Sequence, residues 1–342
     1  MINESNLTTD LRTFINNSGY SQEFKNELLA ILDGRRIAPL TSDTMAKKIF
    51  SPDLHRDRFD FILKRVMGDD SIASDRSATN ELPTEASSAK RTVSDITAWL
   101  KDRRYANLEI QAMAQEFIFS RADIYSSRML LFQYNVDYGQ AKSEISYDNT
   151  PGVILVILMR NSPKPFKDFN SDKYIHRFTD AISDTGLRYP LLRQIAYVQL
   201  DKALELYLSK NYNEDDDIEL LKLCAMIADI NNDEIINATE SDSFLSDIRQ
   251  EAIRFSLDKE VQPMLISEEM EIWDQTVGKA LEHGIWRNEG IQEGQSEILA
   301  LTSWLVFNGR SDDIPKIAND PDYLNKVLEE YNATQNANTE TT

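Results

Sequence analysis

Apolar side chains recur along the chain with two different periods. Val153 to Met159 is an unbroken aliphatic run ending in Met, the pattern of a central strand buried on both faces. Val93 to Leu100 and Tyr105 to Gln111 carry period-2 patterns on either side of the charged stretch Lys101 to Arg104, which predicts a β-hairpin. Tyr174 to Phe178 and Gln194 to Leu200 read as further strands. Helical spacing marks Ser21 to Gly34, with Ser at the cap and Gly at the stop. It also marks Ser42 to Phe50 with Ser42 or Asp43 as N-cap, Asp57 to Met67 ending at Gly68, Met113 to Gln133, and Asp201 to Leu208. From Ile218 to about Tyr331 the pattern is helical throughout, weakened between Glu282 and Ser303 by glycines. Asp69 to Lys90 reads as a long polar loop with a short strand near Ile72. Strands confined to the middle of the chain predict an α/β core with a helical C-terminal region. The expected divisions are a helical lead-in over 1–40, the core over 41–210, an acidic helical region over 211–331 and a disordered tail over 332–342.

The hairpin concentrates the candidate chemistry. Strand side chains alternate between faces, so Asp95, Thr97 and Trp99 share one face, and Glu109 and Gln111 share one. A turn centred near Asp102 and Arg103 sets Asp95 across from Glu109 or Ile110. Two adjacent carboxylates repel, and a hard divalent cation taking oxygen ligands relieves that repulsion. By spacing alone, a surface hairpin with solvated charges is the stronger reading. On the following helix Ile118, Arg121, Tyr125, Arg128 and Phe132 form one stripe, and Phe117, Ile124 and Leu131 form an apolar stripe suited to a sheet. Arg121 can face the carboxylates or a phosphate, which its planar fork matches. Alternatively it pairs with a structural carboxylate while Tyr125 fills core. Asp43 reads either as a plain helix cap or as an accessory acid. His55 reads as a solvated side chain, and the single cysteine, Cys224, as core within an apolar helical run.

Charge changes this picture less than its total suggests. The 342 residues carry 37 Lys and Arg against 57 Asp and Glu, a net of −20, which by itself argues against a nucleic-acid partner. Residues 41–210, however, hold 24 basic and 23 acidic side chains, while 211–342 hold 9 and 29. The excess acid lies in the C-terminal third and leaves the hairpin region neutral. One cysteine excludes an internal disulfide and a cysteine-based zinc site. The longest apolar run is strand-sized, far short of the roughly 20 residues that span a bilayer. The first residues also lack the basic and apolar regions of a signal peptide. A cytoplasmic protein without a membrane partner is expected.

Several short segments, in a shared order, resemble the PD-(D/E)xK nuclease family transposases, also called recombination-promoting nucleases. They are Leu40 to Phe50 with Asp43, Ser94-Asp95-Ile96, Asn107-Leu-Glu-Ile-Gln111, Arg121 to Tyr125, and the glycines 278, 284, 290 and 294. The resemblance runs from about 40 to 330. It implies a restriction-endonuclease-like fold, a mixed central sheet flanked by helices, and metal-dependent hydrolysis of DNA phosphodiesters. It further implies Asp95, Glu109 and Gln111 as catalytic residues. Asp43, Arg121 and Tyr125 would be accessory, and Mg²⁺ or Mn²⁺ would be held by Asp95, Glu109 and the Ile110 carbonyl. Gln111 stands where the wider superfamily has Lys, although Gln is common within this family. Gln199 stands where the family often has Glu, which weakens a third metal ligand there. DNA is the implied partner, and a homo-oligomer is left open. Two rivals stay open: a catalytically degenerate nuclease fold acting as a binding or regulatory module, and a helical interaction protein with no DNA role.

Overall fold

The computed structural model describes residues 4–78, 81–82, 92–93, 96–114, 117–135, 150–212, 216–287, 301–302, 304–306, 308–320 and 323–331. In chain order the elements are α1 (Glu4–Asn17), α2 (Gln22–Leu32), α3 (Asp43–Phe50), α4 (Arg56–Met67), β1 (Ser74–Ser77), β2 (Glu81–Leu82), β3 (Thr92–Val93), β4 (Ile96–Leu100) and β5 (Tyr105–Gln111). They continue with α5 (Ile118–Asn135), β6 (Val153–Met159), α6 (Lys164–Phe169), β7 (Ile175–Ile182), β8 (Arg188–Gln199), α7 (Leu200–Ser209), α8 (Ile218–Ala228), α9 (Asp233–Thr239), α10 (Ser243–Leu257), α11 (Gln262–Arg287) and α12 (Ile314–Asn319). The chain folds into two compact units, residues 37–255 and residues 1–36 with 256–342.

The first unit is a mixed six-stranded sheet in the order β1-β4-β5-β6-β8-β7, flanked by helices. β5, β6 and β8 run parallel and form its centre; β1, β4 and β7 complete it as antiparallel neighbours. The sequence pattern explains the centre. Every residue of β6 is buried, as its uninterrupted apolar run requires. One face of the sheet presents Trp99, Tyr105, Val153, Leu155, Ile157, Ile195 and Tyr197 to Ile118, Ala122 and Met129 of α5. α4 and α7 pack against strands of the same sheet, and α8 packs on both helices. Local signals hold where expected. Ser42 Oγ accepts from Met45 N to cap α3, and Gly68 closes α4 in the left-handed conformation at φ 69°. Cys224 is buried, and burial pushes its thiol pKa upward.

Two side-chain readings are corrected. Phe117, Ile124 and Leu131 are 70%, 57% and 59% exposed, so this stripe faces away from the sheet. The face that packs inward is Ile118, Ala122, Ser126, Met129 and Gln133, while Arg121 stays 43% exposed and pairs with Glu109 from there. His55 is half-buried rather than solvated, with Nε2 2.9 Å from Glu251, which Arg58 also binds at 2.7 Å.

In the second unit α2 carries Phe24, which stacks on Trp273 of α11 with centroids 5.4 Å apart; Tyr20 meets both rings edge-on. A separate apolar cluster joins Leu301, Leu305, Ile314, Ile317 and Val327. Among the described residues no helix is long and apolar enough to cross a membrane. The 332–342 tail and glycines 290 and 294 lie outside the described residues.

Candidate active site

The hairpin turn is fixed by its own charges. Arg103 takes a left-handed conformation at φ 70°. Arg104 bonds Asp102 through Nε at 2.6 Å and Asp69 through Nη2 at 2.9 Å. Gln133 of α5 donates to the Arg103 carbonyl at 3.2 Å, tying helix to turn. The register that follows pairs Trp99 with Tyr105, Thr97 with Asn107 and Ile96 with Leu108. Alternation then sends Tyr105, Asn107, Glu109 and Gln111 to the α5 face of the sheet. Parallel pairing with β6 sets Glu109 beside Ile157 and Gln111 beside Met159.

Glu109 and Gln111 therefore sit in the interior, at 4% and 6% exposure. An ionised carboxylate in such surroundings needs partners, because removal from water is costly. Glu109 Oε1 accepts from Gln111 Nε2 at 2.8 Å and from Arg121 Nη2 at 3.0 Å. The Arg121 guanidinium lies over the Tyr125 ring, 4.9 Å from its centroid, and Nη2 approaches the Tyr125 hydroxyl at 3.3 Å. Arg121 is 43% exposed where Glu109 is 5%, so the pair runs from core to water.

Among the described residues, two buried groups on this face lack partners. Gln111 Oε1 accepts nothing, and neither polar atom of the Asn107 side chain is bonded, although Asn107 is fully buried. Each such group costs about 1–3 kcal/mol. Three polar side chains thus line up at alternate positions of one strand in an otherwise apolar layer. Sequence reasoning quoted Asn107 only as motif context. The signal that singles it out is a polar residue two places before Glu109 and therefore on the same face.

The structure brings together four of the expected residues: Glu109, Gln111, Arg121 and Tyr125. Ile110 lies between the first two with its side chain on the opposite face. Asp95 lies outside the described residues. Asp43 is the first residue of α3; its one hydrogen-bond or ion-pair partner among the described residues is Lys47, at 2.8 Å on the exposed surface. Gln199 is buried and held by His176 Nε2 and Ser162 Oγ, each at 2.9 Å. Ser162 N in turn donates to Asp201 at 2.8 Å. This amide therefore serves a hydrogen-bonded lock where β6 and β8 end. Among the described residues no cluster of three or more His, Cys, Asp or Glu side chains is placed to hold a metal.

A family model described as PD-(D/E)XK nuclease family transposase matches residues 40–281. No curated protein and no solved structure matches the chain.

Proposed function

Because the chain belongs to the PD-(D/E)XK nuclease family transposases, we propose that it is a divalent-metal-dependent DNA endonuclease centred on Glu109. The observation that carries this reading is a buried carboxylate gripped by Gln111 and Arg121 at the end of a central strand. A polar cluster of this kind is expensive to bury and has an opening to water through Arg121.

The donors present suit a hard cation. Glu109 offers carboxylate oxygen, and the unbonded Gln111 Oε1 offers a second hard oxygen beside it. The described pairs Ile96–Leu108 and Thr97–Asn107 share one register. The resemblance implies Asp95, which lies outside the described residues, as the third donor. The Ile110 carbonyl would complete the protein's contribution. When bound, Mg²⁺ or Mn²⁺ would supply a water of lowered pKa and charge neutralisation at the phosphate. Arg121 would then divide its guanidinium between Glu109 and a phosphate oxygen, which its fork geometry allows. Tyr125 holds that guanidinium in place from above. Gln111 can orient a water but brings no positive charge, so the charge work falls on Arg121 and the cation. Asp43, an accessory acid by resemblance, would act on the substrate.

One observation favours a second reading, a catalytically degenerate module that binds without cutting. Arg121 pairs with Glu109 within the chain itself and can meet its charge without help from a cation. The test is nicking of supercoiled plasmid with Mg²⁺ or Mn²⁺ by the native chain and by Glu109→Gln. Metal-dependent nicking that falls at least roughly a hundredfold in the variant supports the nuclease. A native chain that binds DNA, takes up no Mn²⁺ by calorimetry and does not nick is the degenerate module.

A further inference from the structure

Beyond the carboxylate, the same face of the sheet carries an exposed aromatic groove. Phe119 on α5 and Phe178 on β7 are 41% and 48% exposed. Both rings stand edge-on to Tyr197 of β8, with centroids 5.4 Å and 5.7 Å away and interplanar angles of 79° and 89°. Tyr197 is itself buried and forms the floor. With Arg193 and Asp123 at the rim, the groove encloses about 260 Å³.

Its position relative to Glu109 follows from register. Glu109 pairs with Ile157, and Ile157 pairs with Tyr197. Paired residues of neighbouring strands project to the same side, so carboxylate and groove floor occupy one lateral row, two strand spacings or about 10 Å apart. α5 bridges them: Arg121 turns to Glu109, while Phe119 and Asp123, two residues to either side, turn to the groove. Burial, with the charges of Asp123 and Glu109, raises the pKa of the Tyr197 phenol.

The rim is prepared for an anion. Arg193 makes all its described hydrogen bonds through Nη1, to Asp123 O, Asp123 Oδ1, Ser126 Oγ and Ser127 Oγ at 2.9–3.3 Å. Its Nε and Nη2 are unbonded among the described residues. The Asp123 carboxylate at the rim pairs with this arginine at 3.2 Å.

We propose that this groove receives an unpaired nucleobase of the DNA strand whose phosphate is presented to Glu109. The inference rests on the nuclease reading and names its substrate class, single-stranded or locally opened DNA. The occupant has to be flat and aromatic and has to sit next to a phosphate. Stacking on aromatic side chains contributes about 1–3 kcal/mol per base and tolerates any base, because every base has a π face. A paired base inside a duplex has both faces covered and cannot enter without being extruded. Arg193 then meets the phosphate that follows the stacked base.

The test is fluorescence anisotropy with labelled oligothymidylate and with a short duplex, in EDTA so that nothing is cut. Phe119→Ala and Phe178→Ala should each weaken single-strand binding roughly tenfold and leave duplex binding unchanged. Phe178→Trp should restore the affinity. One abasic position in the oligonucleotide should cost the native chain the same factor and cost Phe178→Ala nothing further. Unchanged affinity in both alanine variants overturns the proposal, as does equal loss on single strand and duplex, or no binding by the native chain. A native dimer that becomes a monomer in the variants, with DNA affinity intact, overturns it too and assigns the groove to a second copy. Because this measurement needs neither metal nor turnover, it can fail while Glu109-dependent nicking stands, and the reverse.

Discussion

β5 and β6 are neighbouring parallel strands of seven residues each, paired along their full length. Both are buried almost throughout. β6 buries only aliphatic side chains and Met, and each contributes favourably by leaving water. β5 buries Asn107, Glu109 and Gln111 at alternate positions; among the described residues the Asn107 amide is unbonded and Gln111 is bonded only through Nε2, while Glu109 needs Gln111 and Arg121 to replace water. Equal burial therefore has opposite energetic sign on the two strands. One is scaffold. The other is tolerated by the fold because its neighbours supply stability, and such local violations are characteristic of functional sites.

The strongest way to break the comparison is to give β6 what β5 has. Ile157 is the direct partner of Glu109 and equally buried, but no arginine waits for a carboxylate there. Ile157→Asp should lose about 4 kcal/mol or more, or fail to fold, as read by urea denaturation. Loss below about 1 kcal/mol would show that the whole layer is polar-tolerant, not β5 alone. The reverse exchange is milder. Asn107→Leu removes two unbonded buried atoms at similar volume and should leave stability unchanged or raise it by up to about 1 kcal/mol. A fall in melting temperature would mean that Asn107 has a bound partner such as water. The smallest effect concerns how the hairpin is held. Its hydrogen bonds to Ser71 and Arg104 hold the Asp69 carboxyl below its ordinary pKa. A depressed pKa stabilises the fold above the unfolded value, about 3.9, and that stability is lost as pH falls through the folded value. Asp69→Asn should therefore be slightly less stable than the native chain at pH 7, with the gap closing in acid below that value. A constant gap across calorimetric scans from neutral to acid pH would remove the ionic contribution.

How much of this was legible before folding varies from one element to the next. Caps and stops depend on neighbouring residues only, so Ser42 and Gly68 could be read directly. The shared face of Glu109 and Gln111 needed nothing but the period of a strand. α5 was harder, because its apolar residues are spread around the helix and periodicity alone chose Phe117, Ile124 and Leu131 for the sheet. Packing chose neither stripe whole: Ile118, Ala122, Ser126, Met129 and Gln133 turn inward, Arg121 reaches Glu109 from a position 43% exposed, and Phe117, Ile124 and Leu131 are left in water. Asn107 was hidden for a different reason. An orphaned amide is visible only once every atom around it has been placed.

By itself, then, the sequence determined what is local. It set the hairpin and the faces of its side chains, the doubly buried strand β6, the helix ends, and a family membership carried by short motifs in order. Those follow from backbone period and steric rules that act over a few residues. The tertiary structure decided which distant residues stand in one row. Tyr197 reaches Glu109's row only because β8 pairs with β6 in one register and β6 with β5 in another. Parallel pairing across long connections is specified by the collective fit of the core, not by any segment of the chain.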